Sequence, residues 1–337
     1  MADANALSLS EYAVMSNDPL VQKITYSLLV NGSILPDIPL VTKKSMKVNT
    51  VRWENTMTVN WAKLNEVLTV VKGKPTAYAE QMFLVRNAID IDYKILEDVN
   101  NIGDPRAAQI GNYIYSLAYD FNDKVINNNH ISGDADAPVG FRDRLDNPTL
   151  YGCVSELKID CGGVDMRGGS NTTAAIANQF IEYIQTLLSY LGREEGDNVF
   201  LYMNDLMKRR FETAVRILGA GAGWRTDMDA FDRAISKYKN ATIVDIGRKG
   251  DQTTRIITNT ETAAGLNGSS TFTSIYGAVL EEERFSGWQW EELGSAIKPI
   301  GPIGNDGTID RTMIDWGIGL KQEHSRAIGR LYDIKVA

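Results

Sequence analysis

The chain is poor in the residues from which hydrolytic, redox and metal chemistry is usually built. Two histidines, His130 and His324, and two cysteines, Cys153 and Cys161, are its whole complement in 337 residues. A closed zinc site needs four soft ligands at short spacings. These cysteines stand eight apart with no histidine nearby, so they read as reduced, partly buried thiols. Neither histidine sits beside a serine or cysteine in an elbow or triad-like motif, although triads are defined by geometry and not by spacing. No apolar run approaches the roughly 20 residues needed to cross a bilayer. The opening MADANALSLSEYAVMSNDPL has neither the basic nor the apolar region of a signal peptide, so a soluble protein made in the cytoplasm is expected. Basic charge is not in excess: 35 Lys and Arg against 43 Asp and Glu give a net charge of −8. That balance argues against gripping DNA through its phosphates, but not against lining a compartment that contains DNA. No internal repeat is visible.

What is present is the composition of an ordinary globular protein, 43% hydrophobic and 23% charged, which excludes wholesale disorder. Residues Met1 to Leu40 form a separate opening segment, with Ser8 and Glu11 as a helix-start signal and the Asn17-Asp18-Pro19 break. The segment is too interrupted to own a core and reads as an arm that packs on something else. From Val41 to Tyr78 the period changes to two, with Met46, Val48, Thr50 and Arg52 on one face and Lys47, Asn49, Val51 and Trp53 on the other. Neither face is cleanly apolar. With Val59–Val71 as the returning limb, this predicts a protruding hairpin stabilised by a neighbouring subunit, since such a hairpin is unstable alone.

Asp104 as N-cap and Pro105 in the first helical position open the clearest element. Ala107, Ile110, Ile114, Leu117, Phe121 and Val125 recur at helical spacing until Asn127-Asn128-Asn129, predicting a long helix over 104–129. Gly133–Pro148 reads as a loop or small hairpin, Cys153–Asp160 as weakly strand-like, and Thr172–Leu191 and Asp205–Leu218 as helices around a buried strand, Asn198–Met203. Strands are expected over Ala241–Ile246, Thr254–Thr260 and Thr273–Leu280, and a closing pair over Thr312–Leu320 and Ala327–Val336.

The remaining motifs point to surfaces. GAGAG over Gly219–Gly223 follows a helix and lacks the lysine of a phosphate loop, so it is a connector. Glu281, Glu282 and Glu283 alternate at a strand end instead of lining a calcium loop; they make a solvated acidic face or a contact with a neighbour. Lys208, Arg209 and Arg210 form the complementary basic cluster. Trp288 and Trp290 read as packing at a hairpin tip or subunit contact, in preference to a stacking platform for sugars or bases. With Arg52 and Trp53, these residues are the candidate intersubunit contacts. No catalytic residue, cofactor or metal is expected, and the protein is read as not an enzyme.

The order of parts (arm, mixed-face hairpin, long helix, mixed α/β unit, closing strands) resembles the major capsid proteins of tailed bacteriophages, which have the Hong Kong 97-like fold also used by encapsulin shells. The text LSEYAVMSNDPLVQKITYSLL is similar to that family's arm, and NVFLYMNDLMKRRFETAVR to its strand and basic helix. YKNATIVDIGRKGDQTTRIITNTET with SIYGAVLEEERFSGWQ is similar to its central stretch, and DWGIGLKQEHSRAIGRLYDIKV to its closing strands. The resemblance covers essentially the whole chain. It implies an α+β (mixed α/β) fold with an N-terminal arm over 1–40, an E-loop over 41–79 and a peripheral domain over 80–164. An axial domain would occupy 165–297, and 298–337 would return to the peripheral domain. It further implies pentamers and hexamers closing into an icosahedral shell in the virion, with assembly in the host cytoplasm. The implied partners are further copies of the chain, a separate scaffolding protein, a portal at one vertex, an optional decoration protein and non-specifically contacted double-stranded DNA, with no membrane. No lysine–asparagine crosslink is expected, since Lys43, Lys44, Lys47 and Glu323 do not form the matching constellation. The alternatives are an encapsulin-like shell with protein cargo and a soluble α/β hydrolase.

Overall fold

The computed structural model describes residues 34–53, 58–67, 70–97, 105–192, 198–219, 223–228, 234–261, 271–291, 296–303 and 308–336. The expected arm helix and the 17–19 break lie outside these residues.

The strands are β1 (Leu40–Thr42), β2 (Lys47–Trp53), β3 (Pro75–Asp92), β4 (Lys158–Asp165), β5 (Val199–Met203), β6 (Trp224–Met228) and β7 (Ala234–Tyr238). They continue with β8 (Ala241–Asp245), β9 (Phe272–Val279), β10 (Phe285–Gln289), β11 (Ile297–Ile303), β12 (Ile309–Gln322) and β13 (Ile328–Lys335). The helices are α1 (Tyr93–Glu97), α2 (Pro105–Asn127), α3 (Phe141–Asp146), α4 (Pro148–Tyr151), α5 (Ala174–Tyr190) and α6 (Asp205–Ile217).

Two sheets organise them. In the first, β12 is the axis. One flank takes β10 and then β11, the other takes the second half of β3, and β1 adds in parallel to β10. Alternation along β12 explains its placement: Asp310, Thr312, Ile314, Trp316 and Ile318 are buried, while Arg311, Met313 and Asp315 are partly exposed. The first half of β3 runs on past the end of its pairing with β12 and pairs antiparallel with β2, the sheet's last strand, from Lys47 opposite Gln81 to Trp53 opposite Pro75. At about 3.3 Å per residue, the 18-residue β3 spans roughly 60 Å. Helix α2 contacts β3, α1 and α3, with Ile114, Leu117, Ala118, Phe121, Val125 and Ile126 buried.

The second sheet has the order β4-β13-β9-β5-β8-β7-β6. All eight residues of β9 are buried at its centre, and α5 and α6 pack on one another and on its strands. Helix α5 starts where the Thr173 hydroxyl accepts from the Ile176 N–H, and α6 where Asn204 Oδ1 accepts from the Met207 N–H at 2.8 Å. Phe211 anchors the aromatic centre, with ring centroids 5.4 Å from Phe180 and Trp224 and 5.3 Å from Tyr238.

Several sequence expectations change here. The hairpin's returning limb is β3, beginning at Pro75, and not Val59–Val71. The latter is interrupted by a local turn in which the Lys63 N–H donates to Glu66 Oε2 and Asn65 adopts φ +70°. Thr254–Thr260 is not a strand. The Asp251 carboxylate accepts from the Thr253 and Thr254 N–H groups, and Asn204 Nδ2 donates to Ile257 O, pinning buried Ile256 and Ile257 as a loop. The expected loop Gly133–Pro148 contains the helix α3. The closing strands form but do not pair with each other: β12 lies in the first sheet and β13 in the second. Likewise β10, expected in the axial stretch, joins the first sheet. The end of the opening segment packs into this chain's own core, with Ile34, Leu35 and Ile38 fully buried and the Ile34 N–H donating to Asn122 Oδ1 at 2.9 Å.

Candidate assembly surfaces

The protruding hairpin is held at its base by a buried polar knot. Arg144 forms a two-pronged pair with Glu80, Nη1 to Oε1 at 2.7 Å and Nη2 to Oε2 at 3.0 Å, and is 1% exposed. Its ring neighbours are Tyr151 and Phe285, with centroids 5.7 and 5.8 Å away. Burial works against the Arg144 charge, but Glu80 outweighs it and raises the guanidinium above its ordinary value. Arg52 lies over the Tyr78 ring and donates from Nε to Gln322 O at 3.0 Å, from Nη2 to the same oxygen and from Nη1 to Tyr151 O. Burial and the Arg144 charge lower it. The neighbouring buried Asp143 accepts from the His130 N–H, the Tyr151 hydroxyl and Asn147 Nδ2. Two arginines and two carboxylates thus tie the hairpin to α3, α4 and β12.

Beyond that base the chain presents apolar side chains to solvent. Trp61 is 96% exposed, Leu64 95%, Val67 89% and Val70 94%. Large apolar side chains left this exposed on a folded chain make the segment a candidate contact site.

The sequence-nominated contacts divide. Arg52 is spent inside the chain, and so is Trp288, which is 1% exposed and donates from Nε1 to Ser45 O at 2.9 Å. Trp288 lies across Gly319 of β12, where an added Cβ would meet its ring at 2.4 Å. Neither side chain is available to a neighbour. Trp290, at the end of β10, is 37% exposed. Arg209 is exposed on α6 and pairs with Asp205, which also binds Arg255. Lys208 and Arg210 are half-buried, the Arg210 guanidinium pressing on Gly168. Glu281, Glu282 and Glu283 occupy the turn between β9 and β10, the first two half-buried and Glu283 exposed. The side chain of Trp53 lies outside the described residues. Sequence reasoning missed Glu80, Arg144 and Trp61. A tryptophan in a run of valine, leucine, lysine and asparagine was the available signal for the last.

The chemical residues show only local roles. His130 stacks edge-on against Phe83, and the His324 ring accepts from the Arg326 N–H at 3.1 Å. Burial raises both cysteine thiols. Among the described residues no three His, Cys, Asp or Glu side chains gather as a metal centre, and no helix is long and apolar enough to cross a membrane.

This architecture is that of the Hong Kong 97-like shell proteins. The SrpI encapsulin of Synechococcus elongatus PCC 7942, solved by cryo-electron microscopy as its holo complex, is similar at a TM-score of 0.60, over 96% of this chain and 94% of that one, with 12% identity. The capsid of the native GTA particle matches at 0.57, over 91% of each chain and 12% identity. The capsid of Ralstonia phage GP4 matches at 0.53, over 90% of this chain and 87% of that one, with 10% identity. No family model and no curated protein sequence matches the chain.

Proposed function

We propose that this chain is the major capsid protein of a tailed phage, a structural protein without catalytic activity. Its copies assemble as pentamers and hexamers into an icosahedral shell around double-stranded DNA. The observation that carries this reading is the set of exposed apolar residues at 59–71, held out on a hairpin whose base is rigidly bonded. Covering a side chain of the Val or Leu class contributes about 1.5–3 kcal/mol, so several such residues seated on a second copy provide a substantial driving force. Arm, hairpin and domain edges then engage several neighbours at once, and the raised effective concentration stabilises the lattice beyond any single contact.

In this reading the E-loop is the 41–79 region, the axial domain is centred on the second sheet, and the peripheral domain is centred on α2 and the first. Trp53, Lys208, Arg209, Arg210, Glu281, Glu282, Glu283 and Trp290 remain the contact candidates. The shell would use a separate scaffolding protein and a portal, with an optional decoration protein, and would form in the host cytoplasm. A second reading, a shell with protein cargo, is favoured by the near-complete overlap with the encapsulin.

Size-exclusion chromatography and negative-stain microscopy of the purified chain test the shell: closed particles of uniform diameter are expected, and a persistent monomer overturns both readings. Particles from producing cells then separate the two. Nuclease-protected DNA supports the phage capsid, while an internal protein without DNA supports the second reading.

A further inference from the structure

Within the first sheet, β11, β12 and the second half of β3 lie side by side, and their two outer edges are finished differently. The Tyr93 N–H donates to Thr308 O at 2.8 Å. By alternation, odd-numbered residues of β3 and even-numbered residues of β12 turn their backbone groups toward each other. The odd-numbered residues of β12 then face β11, where Ile309, Arg311 and Met313 lie opposite Ile303, Gly301 and Lys298. Pro299 and Pro302 are thereby left at outward positions of β11. A bulge between Pro299 and Gly301, with Gly301 at φ +89°, twists the strand between them. Proline has no N–H to offer, so this edge is blunted.

The opposite edge is open. The Met82 N–H donates to Met46 O at 2.9 Å, where the pairing with β2 ends. From there Leu84, Arg86, Ala88, Asp90 and Asp92 point their N–H and C=O groups away from β12. Among the described residues no backbone partner meets them. Leu84 is 41% exposed, and Arg86, Ala88 and Asp90 are exposed too. Helix α2 lies over one face, where Arg106 pairs with Asp310, but its cover fades at β3. On that face Asp310, Thr312 and Ile314 of β12 are buried, whereas Asn87 of β3 is exposed and Ile89 and Ile91 are half-buried. On the other face two ion pairs join β3 to β12: Arg86 Nε to Asp315 Oδ1 at 2.8 Å, and Arg311 to Asp90 at 2.7 and 2.6 Å. An open row of donors and acceptors is a template for a further strand.

We propose that the 84–92 edge of β3 pairs antiparallel with the same edge of a second copy of this chain, about a two-fold axis at Ala88. The occupant follows from the charges, because the strand is its own complement. With Ala88 opposite Ala88 of the second copy, Arg86 falls opposite Asp90 and Asp90 opposite Arg86, and opposite charges across strands stabilise a pair. At that level the row across both copies reads Asp315, Arg86, Asp90, Arg311, alternating in sign. The same register sets even-numbered residues against even-numbered ones, so the outward backbone groups of the two strands meet. On the α2 face it sets Val85 against Ile91 and Asn87 against Ile89, covering the half-buried isoleucines. Such a contact closes at two copies, and the prolines of β11 stop the joined sheet from growing at its far edges. It is separate from the 59–71 segment and holds with or without a shell.

Ala88→Cys tests the axis. Residues that exchange both backbone hydrogen bonds across antiparallel strands lie about 5.5 Å apart at Cα, within the span of a disulfide. Mild oxidation of Ala88→Cys is expected to give a reducible dimer on non-reducing gels, from free subunits and from particles alike. Wild type and Asp136→Cys, at an exposed loop position, are expected to give none. Arg86→Asp and Asp90→Arg, each made with Ala88→Cys, test the register. Either alone sets like charges across the axis, and the dimer is expected to form about tenfold or more slowly. Mixed, the two variants restore both opposite-charge pairs, and a dimer with one chain of each kind is expected. The pairs within each chain are disturbed equally alone and mixed, so this rescue is not a matter of folding. No dimer from Ala88→Cys overturns the proposal, as does equal crosslinking of Asp136→Cys or a mixture that fails to rescue. An introduced thiol that is protected from reagents but not crosslinked assigns the edge to another segment and overturns it too. Closed particles without the crosslink overturn this contact and leave the shell reading standing; a crosslinked dimer that never forms particles does the reverse.

Discussion

The second sheet and the hairpin of the first are built from similar residue types and treat them oppositely. In the second sheet every residue of β9 is buried, and Phe180, Phe211, Trp224 and Tyr238 close an aromatic centre beneath two helices. Along the hairpin the buried contacts end at the Arg52–Glu80–Arg144 knot, and Trp61, Leu64, Val67 and Val70 face solvent. One region completes its burial within a single chain. The other is fixed in direction by a polar anchor and left uncovered along its length. Apolar content alone therefore does not separate core from contact surface; what separates them is whether the chain supplies the opposing layer.

Truncating Phe211 to alanine attacks the self-sufficient side of this contrast. The cavity is expected to cost about 3–5 kcal/mol, read as a shift in the denaturant midpoint with little change in slope. Arg144→Ala attacks the anchor. It leaves buried Glu80 with only the longer 3.9 Å contact to Arg52, with an expected loss of about 3 kcal/mol or more, while Arg144→Met combined with Glu80→Leu recovers most of it. Chemical denaturation of the single and double variants gives that comparison directly. Trp61→Ser tests the uncovered side and should move subunit stability by no more than about 0.5 kcal/mol. Under the capsid reading the same change raises the concentration needed for assembly by about tenfold or more, since losing 1.4 kcal/mol per contact already gives that factor. Light scattering against concentration measures it.

The smallest effect is acid sensitivity. Hydrogen bonds from Thr254 and Thr253 hold Asp251 at about 2, and Arg255 lowers Asp205. Both carboxyls are depressed on folding, so their stabilisation is complete above the ordinary carboxylate range and is lost as pH falls through the folded values. Melting temperature should decline between about pH 4 and about pH 2, and Asp251→Asn should make that decline shallower.

Elements with a strong local period were legible. The stripe from Ile110 to Val125 gave α2, and the helices expected over 172–191 and 205–218 form with capping by Thr173 and Asn204. What the sequence concealed depends on distant partners. Arg52 reads as a surface charge on a strand, yet it is buried because Gln322 O, 270 positions away, accepts its guanidinium. Trp288 reads as a contact aromatic, yet Gly319 leaves room for it inside the chain. The short helix α3 has too few residues to show a period, and its Arg144 has meaning only once Glu80 is opposite. Sheet membership was least legible: the two closing strands look alike, and only pairing assigns them to different sheets.

The division of those closing strands bears on how the chain is made. Strand β12 is the axis of the first sheet and β13 is flanked on both sides in the second, so neither sheet can close during synthesis until residues 309–335 have left the ribosome. Until then β3 and β10 lack their common partner, and β4 and β9 lack theirs. A nascent chain waits with open strand edges in both halves, which exposes it to aggregation and to holding chaperones. The same wiring acts as a proofreading step. A product broken off before residue 309 has no finished sheet with which to enter any larger structure.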